Sequence, residues 1–341
     1  MLRDISSPLT WVLSDGKAGD ELQGLSVAEA LGIQPEIRRV RPRAPFTWMM
    51  PWGPIDPRER PSRPGSPIAP PYPDLLLASG RRAVPYLRFV KRASGGRTYT
   101  VFLKDPRTGP NTADLIWAPD YDRLRGPNVL TTLTPPHRVS ARKIEEARAH
   151  PDPRLAALPR PRVGVLVGGD SRHHRFTDQD IGRFVQHLST LARSGAGLMI
   201  TASRRTPTPL RMALIALAAR HGAFFWDGTG EAPGENPYVA LLGLADFIVA
   251  TADSFNMIGE AAASGKPILV FEPSGGHPKL GIYMERLRAH GIVHPFEGHL
   301  VGQAYEPLNS TPRIAAAIVR GFSLHCRSLG LPDIAFSLET S

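Results

Sequence analysis

Short apolar runs that stop at polar turns and resume after a helical stretch constrain this chain more than any other feature. In the second half they read RVGVLVGG, GLMIT, AFFW, DFIVA and PILVF, with helical segments predicted after Thr177, Pro207, Pro237 and Ser254. Runs of this length without polar alternation suit strands buried on both faces, and a helix between strands is the crossover that parallel pairing requires. The first half repeats the rhythm with TWVLS, EIRRV, DLLLA, TYTVFL, DLIWA and NVLTT, and Leu22, Leu25, Val27 and Leu31 mark a helix after the first of these. The pattern predicts an α/β chain of two Rossmann-like doubly wound domains facing a cleft, with ligands beyond the carboxyl ends of the strands.

A proline- and arginine-bearing stretch, His150 to Arg162, separates the two alternating regions. It sets expected domains over residues 1–150 and 151–341, with a helix near Ile314 to Leu324 that has either domain to pack against. Residues 41–73 break the rhythm: eleven prolines and two tryptophans make this a long loop or partly disordered excursion rather than a regular element. Its two readings are a flap tucked onto the fold, or a contact of Trp48, Met49, Met50 and Trp52 with an apolar acceptor or a bilayer interface.

Composition narrows the function. An apolar fraction of 42% over 341 residues is enough to bury a core in each of two domains. One cysteine, Cys326, supports neither an intrachain disulfide framework nor a thiolate metal site, so a reducing cytoplasm is expected. The N-terminus lacks a basic-then-apolar signal pattern, and no apolar run approaches the roughly 20 residues of a membrane-spanning helix. A formal charge of +10 favours anionic partners, yet no nucleic-acid module accompanies it, so nucleic acid is not expected. The adjacent His173 and His174 diverge on either regular element and lack a third ligand, so neither a metal nor a cofactor is expected.

Candidate chemistry gathers in the loops. Gly168 and Gly169 follow a strand directly and read either as an anion-binding turn, with Ser171 and Arg172 adding donors, or as a tight turn leading to a cap at Thr177. Ser203, Arg204 and Arg205 precede a Thr-Pro helix start, where phosphate is favoured. Gly228, Gly230, Asn236 and Pro237 form a third such loop. In ATADSFNMIGEAAASGKPILVF, Asp253 or Ser254 caps a helix that carries one carboxylate, Glu260, in its second turn. In the first half, Asp15 and Asp20 flank Gly16, Lys17 and Gly19; SDGKAGD matches neither a dinucleotide fingerprint nor a phosphate-binding P-loop.

The ordered set SDGKAGDELQG, KDPRTGPNTADLIWAPDYDRLRGPNVLTT, LVGGDS, TASRRTP, ENPY and TADSFNMIGEA resembles the elongated-mitochondria fission-factor family over roughly Thr10 to His294. That family is in turn similar to GT-B glycosyltransferases, which bind a nucleotide sugar in the C-terminal domain and an acceptor against the N-terminal one. The resemblance implies transfer of a sugar from a nucleotide diphosphate donor to a cell-envelope lipid or saccharide. It implies that Glu260 accepts hydrogen bonds from the donor ribose, or else stays a structurally paired helix residue, and that Thr251, Asp253, Ser254 and Asn256 are polar groups of the same site. Asp253 would repel phosphate unless it caps the helix or meets a sugar hydroxyl. Either Asp15 or Asp20 is the implied base for the acceptor hydroxyl, with Lys17 pairing an anionic acceptor or leaving group; the alternative is a cap and a turn-ordering carboxylate. The family also implies a rival class, a non-catalytic adaptor of the mitochondrial-fission type. The expected location is cytoplasmic, at the surface of an anionic inner leaflet if the tryptophan segment touches lipid. The FEPSGGHPK stretch is less basic than the family pattern leads one to expect, which weakens a third phosphate loop at His277 or Lys279.

Overall fold

The computed structural model describes residues 7–228, 236–332, 334 and 336–338, and divides into two compact units. The first comprises residues 1–138 and 310–341, the second residues 139–309.

Six parallel strands build the first unit: β1 (Thr10–Ser14), β2 (Glu36–Arg39), β3 (Leu75–Ala78), β4 (Tyr99–Leu103), β5 (Leu115–Pro119) and β6 (Val129–Thr132), in the order β2-β1-β3-β4-β5-β6. Successive side chains alternate between two cores, as the two-residue period of a strand dictates. Val12, Leu75, Leu77, Val101 and Leu103 enter one, against α1 (Ala18–Ala30) and Ile314, Ala315, Ile318 and Phe322 of a C-terminal helix. Trp11, Leu13, Leu76, Ala78 and Phe102 enter the other. That second core is closed by residues of the proline-rich excursion, including Met50, which follows α2 (Phe46–Met49), and by α3 (Ala83–Ala93).

In the second unit α4 (Ala141–Ala149) and α5 (Pro153–Ala156) lead into β7 (Arg162–Val167). The short strand β8 (His174–Arg175), α6 (Asp178–Arg193), β9 (Gly197–Ala202), α7 (Thr208–His221) and β10 (Phe224–Trp226) follow. Then come α8 (Tyr238–Leu244), β11 (Phe247–Thr251), α9 (Phe255–Ala262), β12 (Ile268–Phe271), β13 (Ser274–Gly275), α10 (Pro278–Ala289) and β14 (Val293–Pro295). The main sheet is parallel, in the order β10-β9-β7-β11-β12-β14. Strand order reverses beside β7, which places a topological switch point between β7 and β11. β8 and β13 pair antiparallel and tie the loop after β7 to the loop after β12.

Three sequence expectations change. The C-terminal helix α11 (Thr311–Ser328) belongs to the first unit, not to a 151–341 domain, because its Ile314, Ala315, Ile318 and Phe322 stripe completes that unit's core. The division falls at residue 138 rather than 150, because α4 packs on α8: Arg148 Nε donates to the Gly243 carbonyl at 3.1 Å. The proline-rich excursion is an ordered structure, and Met50 is fully buried in the core instead of sharing a surface with its tryptophan neighbours. Proline prevented a long helix there without preventing burial of Met50, Ile55 and Ile68.

Candidate functional site

The switch point of the second unit brings the ends of β7 and β11 together. The Gly168 amide donates to Thr251 Oγ1 at 2.9 Å, and the Gly169 amide donates to Asp253 Oδ2 at 3.0 Å. Thr251 Oγ1 in turn donates to Asp253 Oδ1 at 2.6 Å, and an Arg205 guanidinium nitrogen lies 2.8 Å from Asp253 Oδ2. The Asp253 side chain has no solvent exposure. The anion slot of the glycine turn is therefore filled by this chain's own carboxylate, and Arg205 neutralises it. The close approach explains the glycines: a Cβ on Gly168 would stand 2.2 Å from Asp253 Oδ2, and one on Gly169 would stand 1.9 Å from the Arg205 carbonyl oxygen. Asp253 thus does not cap the following helix. Ser254 does, accepting from the Met257 amide at 3.4 Å.

The neighbouring loop braces this arrangement. Ser203 Oγ donates to the Gly168 carbonyl at 2.9 Å, Thr206 Oγ1 donates to the same oxygen, and Arg205 also reaches the Asp170 carbonyl at 3.3 Å. Ser171 is spent locally, its Oγ accepting from the His173 and His174 amides at 3.2 and 3.1 Å. Arg172 and Arg204 are exposed at the same edge of the sheet, and Asn256 is half-buried on the first turn of α9. Of the residues expected to meet phosphate, Arg204 and Arg172 face solvent, whereas Arg205 and the two glycine amides are committed to Asp253 and Thr251.

A pocket of about 160 Å³ opens at the carboxyl ends of β7, β9 and β10, lined in part by Ser203, Trp226, Asn236, Tyr238 and Met257. Asn236 accepts from the Tyr238 amide at 3.0 Å and so sets the start of α8. The Tyr238 hydroxyl donates to Glu260 Oε2 at 2.6 Å, which puts the Glu260 carboxylate beside the pocket. Burial pushes the Glu260 carboxyl above its ordinary value, and the Tyr238 hydrogen bond opposes that shift. Sequence reading missed Trp226, Tyr238 and Met257. The ENPY motif was the available signal for Tyr238, because an Asn-Pro helix start fixes the direction of the tyrosine that follows. Gly230 lies outside the described residues.

The first unit has its own switch point, between β1 and β3, and the SDGKAGD loop occupies it. The Asp15 side chain is wholly buried beside Lys17 Nζ at 3.1 Å and Arg82 Nε at 4.0 Å. Asp20 pairs with Lys104 Nζ at 3.0 Å. Both carboxylates face Gly80, whose positive φ of 89° also suits a residue without a side chain: a Cβ there would lie 3.0 Å from Asp20 Oδ2 and 3.4 Å from Asp15 Oδ1. Two acids and three cations thus converge at the ends of three strands. Lys104, Arg82 and Gly80 were not anticipated, because their loops carry no motif of their own.

Two doubly wound parallel sheets of this topology define the GT-B class of fold. Solved structures agree: a UDP-GlcNAc 2-epimerase from Methanocaldococcus jannaschii superposes with a TM-score of 0.53 at 11% identity, over 92% of this chain and 99% of that one. A UDP-glucosyltransferase from Polygonum tinctorium gives 0.50 at 11% identity, over 95% and 94%. By sequence, the chain belongs to the family described as mitochondrial fission ELM1, whose profile matches residues 18–322. Among curated relatives, mitochondrial fission protein ELM1 of Arabidopsis thaliana is 26% identical over 284 residues, 74% of this chain and 66% of that protein. An uncharacterised protein of Rickettsia prowazekii is 30% identical over 162 residues, 46% of this chain and 45% of that protein. The chain thus spans under two thirds of the length of either relative in these alignments.

Proposed function

We propose that the second unit binds a nucleotide diphosphate sugar and that the protein transfers the sugar to a cell-envelope acceptor. The observation that carries this reading is the Glu260–Tyr238 pair beside a pocket at the carboxyl ends of β7, β9 and β10. An ionised carboxylate accepts from a pair of ribose hydroxyls, and Trp226 and Tyr238 offer apolar surface to a planar base. Arg204 and Arg172 supply exposed positive charge for the diphosphate, while Arg205, Asp253, Thr251 and Gly168–Gly169 hold the turn that positions them. Ser203, Ser254, Asn236 and Asn256 supply the remaining polar edge. The epimerase and glucosyltransferase with this fold are named for UDP-linked sugars, which supports the choice of donor class.

On this reading the acceptor meets the first unit at Asp15, Lys17 and Asp20. Inverting transfer needs a base to take the acceptor hydroxyl proton while the anomeric carbon–oxygen bond to the nucleotide breaks and the diphosphate leaves with that electron pair. Both acids are ion-paired, Asp15 with Lys17 at 3.1 Å and Asp20 with Lys104 at 3.0 Å, so we assign the base to this carboxylate pair as a unit. Lys17, 63% exposed at its side chain, is placed to meet an anionic acceptor. We assign the reaction to the cytoplasm. Calorimetry against a panel of nucleoside diphosphates and their sugars tests the reading: saturable binding of at least one, weakened by Arg204→Gln for the diphosphate but not for the nucleoside, is expected. Absence of binding across the panel overturns it.

A second reading is an adaptor that keeps the fold without the reaction. The Gly168–Gly169 turn favours it, because both amides are taken by this chain's own groups, and the plant relative is named for mitochondrial fission. An adaptor would hold this closed turn with no nucleotide bound at any concentration.

A further inference from the structure

The proline-rich excursion sorts its side chains by chemistry. Met50, Ile55 and Ile68 are buried in the first unit, while Trp48 and Trp52 are the most exposed large apolar side chains among the described residues, at 76% and 69%, with Met49 at 40%. Its charges sort the same way. Asp56 is buried and accepts from Arg43 Nε at 3.1 Å; Glu59 takes the Tyr86 hydroxyl and, at 2.8 Å, the Arg41 amide. Arg41, Arg43, Arg58, Arg60 and Arg63 are all exposed. Asp56 is buried and Glu59 half-buried, so the fully exposed charged side chains of the segment are all arginines.

Two exposed tryptophans on an ordered platform bear a cost in water that an apolar partner removes. Surrounding arginines exclude a purely apolar partner and fit one with an anionic surface and an apolar interior. Indole rings favour the headgroup level of a bilayer, and arginines near an anionic leaflet add electrostatic attraction. We propose that residues 41–63 dock this protein onto an anionic lipid bilayer, with Trp48, Met49 and Trp52 entering the interface and the arginines meeting the headgroups. The segment leaves the first sheet from the carboxyl end of β2, the edge of the sheet that also carries Asp15 and Lys17. Docking there keeps the candidate acceptor site of the same unit near lipid. The inference stands independently of nucleotide binding, which engages the other unit.

Sedimentation with phosphatidylcholine vesicles, with and without phosphatidylglycerol, tests it. Expected is binding to the anionic vesicles at low salt, loss in neutral vesicles or high salt, and about a tenfold or greater drop for Trp48→Ser with Trp52→Ser, as burial of two large apolar side chains implies. Brominated phosphatidylglycerol should quench the wild-type tryptophan emission, and the double variant should lose that quenching while keeping the circular dichroism spectrum of the wild type. Binding that is absent, or unchanged in the double variant, overturns the proposal. So does a wild-type dimer in solution that the double variant abolishes, because a second copy would then be what covers the tryptophans. Nucleoside diphosphate affinity, measured on both proteins and expected to be equal, separates failure of this inference from failure of the donor reading.

Discussion

The Asp253 side chain has no solvent exposure, and three groups meet it: Arg205 and the Gly169 amide from two neighbouring loops, and Thr251 at the end of its own strand. Removing Asp253 leaves Arg205, 46% exposed, to water but strips the Gly169 amide of its acceptor, so Asp253→Ala is expected to lower stability by about 1–3 kcal/mol in denaturant unfolding. A loss below about 1 kcal/mol would show that the pair is effectively solvated. Glu260 behaves oppositely. Burial raises its carboxyl above the ordinary 4.5, so its favourable contribution to folding is fully present below the unfolded value and is lost as pH rises through the folded one. At neutral pH Glu260→Gln should therefore melt no lower than the wild type while weakening nucleotide binding. A lower melting midpoint would make Glu260 a structural residue. The polar character of these loops was legible in LVGGDS, TASRRTP and TADSFN. Which carboxylate turns back onto Gly169 was not, because that contact spans more than eighty positions and depends on β7 and β11 lying side by side.

At the level of elements, β1, β3, β4, β7, β9 and β12 read directly from their apolar runs because they are buried on both faces, and the helix starts read from their caps. Thr177 shows the second case: with Asp180 it forms a reciprocal capping box at the head of α6. Thr177→Ala should cost about 1 kcal/mol in thermal or chemical unfolding. Asp180 does more, since its carboxylate also accepts from the Ser274 amide at 3.0 Å and so joins the exit of β12 to α6. Burial alone would raise its pKa, but hydrogen bonds from Ser274 and Thr177 prevail and bring it from 3.8 down to about 2. A depressed carboxyl stabilises above its unfolded value and loses that contribution as pH falls through the folded one. About 2 kcal/mol should therefore disappear between pH 4 and pH 2, and Asp180→Asn should flatten that part of the stability profile. An unchanged profile would remove Asp180 from this role. The short strands β8 and β13 and the edge strand β14 escaped sequence reading, because two or three residues held by partners from elsewhere carry no periodicity.

For the whole molecule, the chain leaves the first unit at residue 138 and returns to it at residue 310. Nothing local in the α11 sequence fixes which unit it completes, because its apolar stripe fits any open helical groove; its packing in the first core and its contacts with Thr134 and His137 show the choice. Thr134 Oγ1 lies 2.7 Å from Ser310 Oγ, and the His137 amide donates to Thr311 Oγ1 at 2.9 Å. A fragment of residues 139–309 should therefore unfold cooperatively on its own, whereas residues 1–150 alone should lack a melting transition until a 310–341 peptide is supplied. A stable 1–150 fragment would contradict the shared core. The central claim is that the pocket at the carboxyl ends of β7, β9 and β10 takes a nucleotide. A crystal structure with the tightest-binding nucleoside diphosphate tests it most directly. The expected result puts the ribose hydroxyls within hydrogen-bonding distance of Glu260, the base beside Trp226 and Tyr238, and the diphosphate toward Arg204. A nucleotide bound elsewhere, or a pocket left empty in the presence of saturating ligand, would contradict it.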